Sequence, residues 1–150
     1  LNDCFASKGF QLARIQTPSK KYVFILNTHL DAGRSTSDRK VRADQLNQIL
    51  AKVEKVIDGE ALIVAGDLNL RWNDPQDSHL LETFKKDLGL LDSFDGVKPD
   101  KNRPSLDYIL YRNGTDTTLE VLEVGIDSDF QYDNKPLSDH PALFIRLLIR

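Results

Sequence analysis

Apolar and polar positions along this chain alternate between two periods, and the switches between them predict its elements. Residues 10–16 and 22–27 combine apolar and β-branched side chains on either side of Thr17-Pro18-Ser19-Lys20, a stretch with turn chemistry, which predicts an antiparallel hairpin. Over 39–57 the period lengthens: Leu46, Ile49, Leu50, Val53 and Ile57 recur at helical spacing, with Ser37 or Asp38 to cap the start and Gly59 to close the end. Residues 61–65 are a compact apolar run, expected as a buried strand that delivers Gly66-Asp67-Leu68-Asn69 at its carboxyl end. A second amphipathic helix is predicted over 78–88, with Leu80, Leu81, Phe84 and Leu88 inward and Gly89 as its stop. Strands are expected at 106–112 and 118–126, flanking the turn dipeptide Asn113-Gly114, and at 142–149 after Ser138-Asp139-His140-Pro141. With no internal repeat, the pattern predicts one domain over 1–150 of α/β (α+β) class, layered around an antiparallel or mixed sheet.

Composition narrows the picture. A chain of 150 residues, 40% apolar and 29% charged, suits one globular domain. Twenty Lys and Arg against 23 Asp and Glu leave a net charge of −3, which excludes coating nucleic acid by bulk charge and leaves room only for a local cationic patch. The last apolar runs, 142–145 and 147–149, are split by Arg146 and fall well short of the roughly 20 residues a bilayer crossing requires. A single cysteine, Cys4, excludes an intrachain disulfide and a multi-cysteine zinc site, and reads as a small apolar filler. The chain starts at Leu1 and contains no methionine, so the expectation is a processed, trimmed or partial chain; cytoplasmic and secreted locations both stay open.

Polar groups inside apolar runs or at strand ends carry the chemical information, because leaving one buried without a partner costs roughly 1–3 kcal/mol. Asn27-Thr28-His29 follows the apolar run 22–26 directly, so His29 stands where a strand opens into a loop; a satisfied strand-end histidine is the plainer reading. Asp67 and Asn69 share one face if strand geometry continues past Gly66, and both offer oxygen to a hard cation such as Mg²⁺ or to its water. A simple turn is the alternative, since Gly, Asp and Asn are common loop formers. Asp107 interrupts Leu106-Asp107-Tyr108-Ile109-Leu110-Tyr111; unless that strand is an exposed edge the carboxylate needs a partner, and His140 is the one histidine that follows it. Ser138-Asp139-His140-Pro141 sets an acid beside an imidazole, the components of water activation, although Pro136 and Pro141 also suit a plain turn. Asn113-Gly114-Thr115 matches a glycosylation acceptor that its turn role already explains, His79 reads as a solvated helix residue, and Trp72 either lines the rim or covers the core.

In order, Asn27-Thr28-His29-Leu30, Gly66-Asp67-Leu68-Asn69, Leu106-Asp107-Tyr108 and Ser138-Asp139-His140 resemble the successive motifs of the endonuclease/exonuclease/phosphatase superfamily, with the DNase I-like fold, nearly from end to end. The resemblance implies an α/β sandwich of two packed sheets with outer helices, and metal-dependent phosphoester hydrolysis at the rim where the motifs meet. It implies that His140 takes a proton from the attacking water, or orients it, while Asp107 holds the other ring nitrogen. Asp67 would position or help deprotonate that water, Asn69 and His29 would hold non-bridging phosphate oxygens, and Asp139 with Asp67 would sit at Mg²⁺, for which Mn²⁺ could substitute. The physics is coherent: a phosphodiester repels nucleophiles by its own charge, so a metal and fixed donors must offset that charge while a base supplies the nucleophile.

Members of that superfamily are longer, and their amino-terminal half supplies an early asparagine and a glutamate metal ligand; neither motif stands upstream of Asn27. The resemblance therefore covers the carboxy-terminal part of such a domain, and the expectation is an incomplete metal site that a missing amino-terminal half would complete. Glu54, Glu60 and Glu82 fall in the wrong order to replace the ligand. The expected function is Mg²⁺-dependent hydrolysis of a phosphoester, first of all a phosphodiester in nucleic acid or in a phospholipid head group. His29 speaks against the apurinic-site endonuclease branch and for the nuclease-like, sphingomyelinase-like and phosphoinositide-phosphatase-like branches. Residues 27–33 and the following helix look most like sphingomyelinase-like members. The rivals are a phosphoinositide-type phosphomonoesterase, a calcineurin-like two-metal phosphoesterase, which needs more histidines and a second early Asp, and a truncated or degenerate binding module that keeps the fold without the chemistry.

Overall fold

The computed structural model describes residues 7–95 and 104–150, so Cys4 lies outside the described residues. Strands β1 (Phe10–Gln16) and β2 (Tyr22–His29) form the expected antiparallel hairpin, with Thr17 Oγ1 accepting the Lys21 amide across the turn. β2 runs past the expected end at 27 because Thr28 is buried and its hydroxyl donates to Gly9 O, which keeps the backbone extended through His29.

Helix α1 (Thr36–Val56) starts before the expected 39. Its cap is Ser35, not Ser37 or Asp38, and Asp38 is the reciprocal partner: Ser35 Oγ accepts the Asp38 amide while Asp38 accepts the Ser35 amide. The helix ends at Val56 with extended Ile57 as its C-cap, and Gly59, at φ +79°, turns the chain into β3 (Ala61–Asp67). Helix α2 (Pro75–Leu88) also begins early, on an Asp74 cap with Pro75 in the first turn, and stops at left-handed Gly89 as expected. β4 (Leu91–Asp92), β5 (Asp107–Arg112), β6 (Leu119–Ile126), β7 (Gln131–Tyr132), β8 (Lys135–Pro136) and β9 (Leu143–Ile149) complete the chain.

Five strands form a mixed sheet in the order β1-β2-β3-β5-β4, in which only β2 and β3 are parallel; β6 pairs with β9, and β7 with β8, in separate antiparallel ribbons. Asn113-Gly114 does not join a hairpin between its flanking strands. Asn113 Oδ1 accepts the Leu119 amide and the Thr115 amide donates to Gly59 O, so this turn carries the chain from one sheet to the other. Both helices lie on one face of the large sheet, where Leu46, Ile49, Val53, Leu81 and Phe84 meet Phe24, Leu26, Leu62, Val64 and Leu110. On the opposite face Val23, Ala61, Ile63 and Tyr111 pack against Leu119, Leu147 and Ile149 of the second sheet. The layered α/β (α+β) expectation holds: helices, mixed sheet, second sheet.

Candidate active site

Strand register brings the polar residues into one row. His29 at the end of β2 pairs with Asp67 at the end of β3, and Asp67 pairs with Asp107 at the start of antiparallel β5, so three side chains from distant sequence line up at one end of the sheet. His140, just ahead of β9, is delivered from the second sheet, and its Nδ1 lies 2.7 Å from Asp107 Oδ2. Because an ionised carboxylate can only accept, that contact fixes the proton on Nδ1 and leaves Nε2 of the half-buried ring as the atom able to reach a water. Asp67 Oδ2 lies 3.5 Å from His29 Nε2 and 3.9 Å from His140 Nδ1, while Asp67 Oδ1 accepts the Asn69 amide at 2.8 Å. Asn69 itself sits at φ +50°, a left-handed position that Asn tolerates, and its Nδ2 donates to Leu30 O at 3.1 Å. The Asn69 amide group therefore bridges the loops after β2 and β3. Asp139 is exposed beside this cluster, and Trp72 and His79 are exposed on the loop before α2 and on α2.

The electrostatics follow from this crowding. The hydrogen bond that His140 donates to Asp107 pushes the imidazole above its ordinary range against a smaller opposing effect of burial, with the charges of Asp107, Asp67 and Asp139 acting in the same upward direction. Burial raises Asp67 above the usual carboxylate range; the Asn69 amide opposes this, Asp107 adds like-charge repulsion, and the two histidines oppose it. Asp67, Asp107 and His140 offer ligand atoms within 4.8 Å of one another, a group that can hold a metal ion. Asp139 is not among those three; what it adds is negative field at His140.

A stability prediction follows from Asp67. Its folded-state pKa is raised, so the group favours folding below its unfolded pKa, and this contribution is lost as pH rises through the raised value. At neutral pH the ionised carboxylate is a net cost. Asp67→Asn keeps an oxygen for the Asn69 amide and removes the charge, so it should melt at the same temperature or higher near neutral pH, with a flatter acid-side profile. A clear loss of thermal stability near neutral pH would show that the carboxylate is held by stronger partners than those described.

Sequence reasoning missed the scaffold behind the row. Tyr108, on the buried face of β5, donates its hydroxyl to Leu70 O at 2.6 Å and pins the segment after Asn69. Arg42 and Asp77 are buried inside the helix layer. Both were visible as charges at the phase of the apolar stripes, Arg42 with Leu46, Ile49 and Val53, and Asp77 with Leu81, Phe84 and Leu88.

Residues 1–105 match the sequence signature of Endonuclease/Exonuclease/phosphatase family 2, and the chain belongs to that family. It is 30% identical over 158 aligned positions to a sphingomyelinase of Mycobacterium tuberculosis, an alignment that takes in 95% of this chain and 31% of that protein. The chain thus spans about a third of the length of the curated relatives it matches. Among solved structures, an endonuclease/exonuclease/phosphatase protein of Bacteroides vulgatus superposes with a TM-score of 0.71 at 16% identity, over 99% of this chain and 58% of that one. A Staphylococcus aureus beta toxin mutant with bound magnesium ions superposes at 0.62 with 22% identity, over 94% and 58%. At these identities the structural likenesses establish the fold, which is DNase I-like.

Proposed function

We propose that this chain is the carboxy-terminal part of a Mg²⁺-dependent phosphodiesterase whose substrate is a phospholipid head group. The observation that carries the hydrolase reading is the 2.7 Å contact between His140 Nδ1 and Asp107 Oδ2, set beside the His29–Asp67–Asp107 row. A carboxylate that fixes the tautomer of a partly exposed imidazole makes Nε2 a general base, and His140 would accept a proton there from a water aimed at phosphorus. The base must be neutral to act, so turnover should rise with pH through the His140 pKa, which the contact with Asp107 raises in the metal-free site. His29, with its ring largely exposed, would donate to a non-bridging phosphate oxygen, while the Asp67 carboxylate stays fixed by the Asn69 amide. The donor chemistry fits a hard cation: Asp67 and Asp107 supply oxygen, and Mg²⁺ is commonly held by one or two carboxylates plus waters and substrate phosphate. Asp67 is the ligand common to this group and to the Asp67–Asp139 pair suggested by the motifs. When bound, the ion would neutralise phosphate charge.

The lipid assignment rests on the ribbon that leads into His140. Phe130, Tyr132 and Leu137, on and beside β7 and β8, are 49%, 78% and 58% exposed, an apolar concentration that suits an interface with lipid better than the edge of a charged polynucleotide. The name of the Mycobacterium tuberculosis relative points the same way. Vesicles of phosphatidylcholine with sphingomyelin, supercoiled DNA and a chromogenic phosphomonoester, each with Mg²⁺ and with chelator, separate the readings. Chelator-sensitive release of the head group is expected. DNA nicking alone would move the assignment to the nuclease branch, monoester cleavage alone to the phosphatase branch, and no turnover by the intact protein would leave a binding module.

A further inference from the structure

The loops that carry His29 and Asn69 are anchored from behind by charges sealed in the helix layer. Arg42 on α1 is fully buried, and its Nη1 donates at 3.0 Å to the carbonyl oxygens of both Asp31 and Gly33, in the segment that leaves His29. Asp77 on α2, 3% exposed, faces Arg42 Nη2 at 3.5 Å through Oδ1 and accepts the Arg71 amide at 3.3 Å on Oδ2, two residues past Asn69. Arg39 Nε reinforces Asp77 at 3.0 Å. On the site side the loops are joined again, by Asn69 Nδ2 to Leu30 O.

Stability alone does not account for this pair. Burying a guanidinium and a carboxylate carries a heavy desolvation penalty, and here Arg42 Nε has no hydrogen-bond partner. Apolar side chains at these two positions would be in phase with the neighbouring stripes and would carry no such penalty. What an apolar pair cannot do is grip two carbonyls of one loop and an amide of the other. The guanidinium fork and the carboxylate do so in fixed directions, which constrains where His29 and Asn69 stand relative to Asp67.

We infer that Arg42 and Asp77 are positioning residues: one buried ion pair sets the spacing of the loops after β2 and β3, and so the phosphate-facing half of the site. The Asp107–His140 pair is held separately by β5 and the second sheet. The role in turnover rests on the hydrolase reading above; the tether itself does not.

The test uses the intact protein carrying Arg42→Met with Asp77→Leu, which leaves no lone buried charge, and, in case that variant fails to fold, Arg42→Lys, which keeps the charge but loses the fork. Amide exchange is followed in segments 30–34 and 69–73, and kinetics on bis(p-nitrophenyl) phosphate with Mg²⁺ are measured where the variant is fully folded. Exchange confined to those two segments should quicken at least about tenfold, and kcat should fall roughly 10- to 100-fold, the scale of a small misplacement of reacting groups. The rising limb of the pH–rate profile, which belongs to His140, should not move. Unchanged exchange, a rate that falls only with the folded fraction, or a shifted pH limb would each overturn the inference. If the unaltered protein shows no hydrolysis, the hydrolase reading has failed, and exchange alone decides: acceleration restricted to the two segments upholds the tether, and none removes it.

Discussion

His140→Ala in the intact protein is expected to lower kcat by roughly 10² to 10⁴, the usual contribution of a positioned general base, with modest change in KM. The half-buried ring makes its close contact with Asp107, and the backbone contact from the His140 amide to Ser138 Oγ survives the substitution. The fold therefore has little to lose. What it does lose is pH-dependent: His140 has a raised folded-state pKa, so its stabilisation is complete below the unfolded imidazole pKa and disappears as pH rises through the raised value. Thermal denaturation should show the variant weaker on the acid side and level with the unaltered protein in mildly alkaline buffer. Asp107→Asn should cost less in rate and should move the rising limb of the pH–rate profile down, toward ordinary imidazole behaviour, because the principal cause of the upward shift is gone. Adding Asp107→Asn to His140→Ala should change little further, since two groups that act as one unit are not additive. If His140→Ala loses activity only in step with folded protein, the ring is structural and the general-base assignment falls.

The sites read from sequence and the elements around them were legible to different degrees for physical reasons. His29, Asp67 and Asp107 stood out because each interrupts or ends an apolar run, and a strand with period two projects such a residue to a defined place. Their convergence needed register, which no local pattern specifies: Asp67 meets Asp107 only because β5 runs antiparallel beside β3. Both helices were placed by their apolar stripes but started late, since the first turn of α1 is polar and carries no apolar residue, and capping at Ser35 and Asp74 is local chemistry independent of the stripe. Asn113-Gly114 signalled a turn between two strands but not which strand the second would pair with. A turn dipeptide fixes the direction of the chain, whereas the choice of sheet for β6 is made by the packing of Leu119 with Leu147 and Ile149. Arg42 and Asp77 went unread because a charge on an apolar stripe contradicts the pattern that finds the helix. Their burial is decided by each other and by loop carbonyls whose position only the fold supplies.

Gly66→Ala should be the most damaging alanine replacement at a glycine among the described residues, and two other glycines provide the scale. Gly9 has open space where a Cβ would go and no unusual φ, so Gly9→Ala should be neutral or slightly stabilising through the unfolded state. Gly89 also has open space but sits at φ +66°, so its replacement should cost about 1 kcal/mol from backbone strain alone. At Gly66 both penalties meet. Its φ is +138°, and an added Cβ would lie 2.0 Å from Thr28 O and 3.0 Å from Thr28 C, atoms of the adjacent strand that cannot rotate aside. β2 and β3 would have to part at the Thr28↔Gly66 pair, next to His29↔Asp67. Overpacking and positive φ together should cost on the order of 3 kcal/mol or more, a fall of about 10 °C in Tm for a domain of this size. Where the variant is still folded, the His29–Asp67 spacing should be wrong, and kcat should drop by about 10² beyond the folded fraction. The three variants compared side by side in denaturation and turnover decide the matter: if Gly66→Ala ranks with Gly89→Ala in both, the strands can separate at that pair without disturbing the row, and the parallel β2–β3 pairing does not set the geometry of the site.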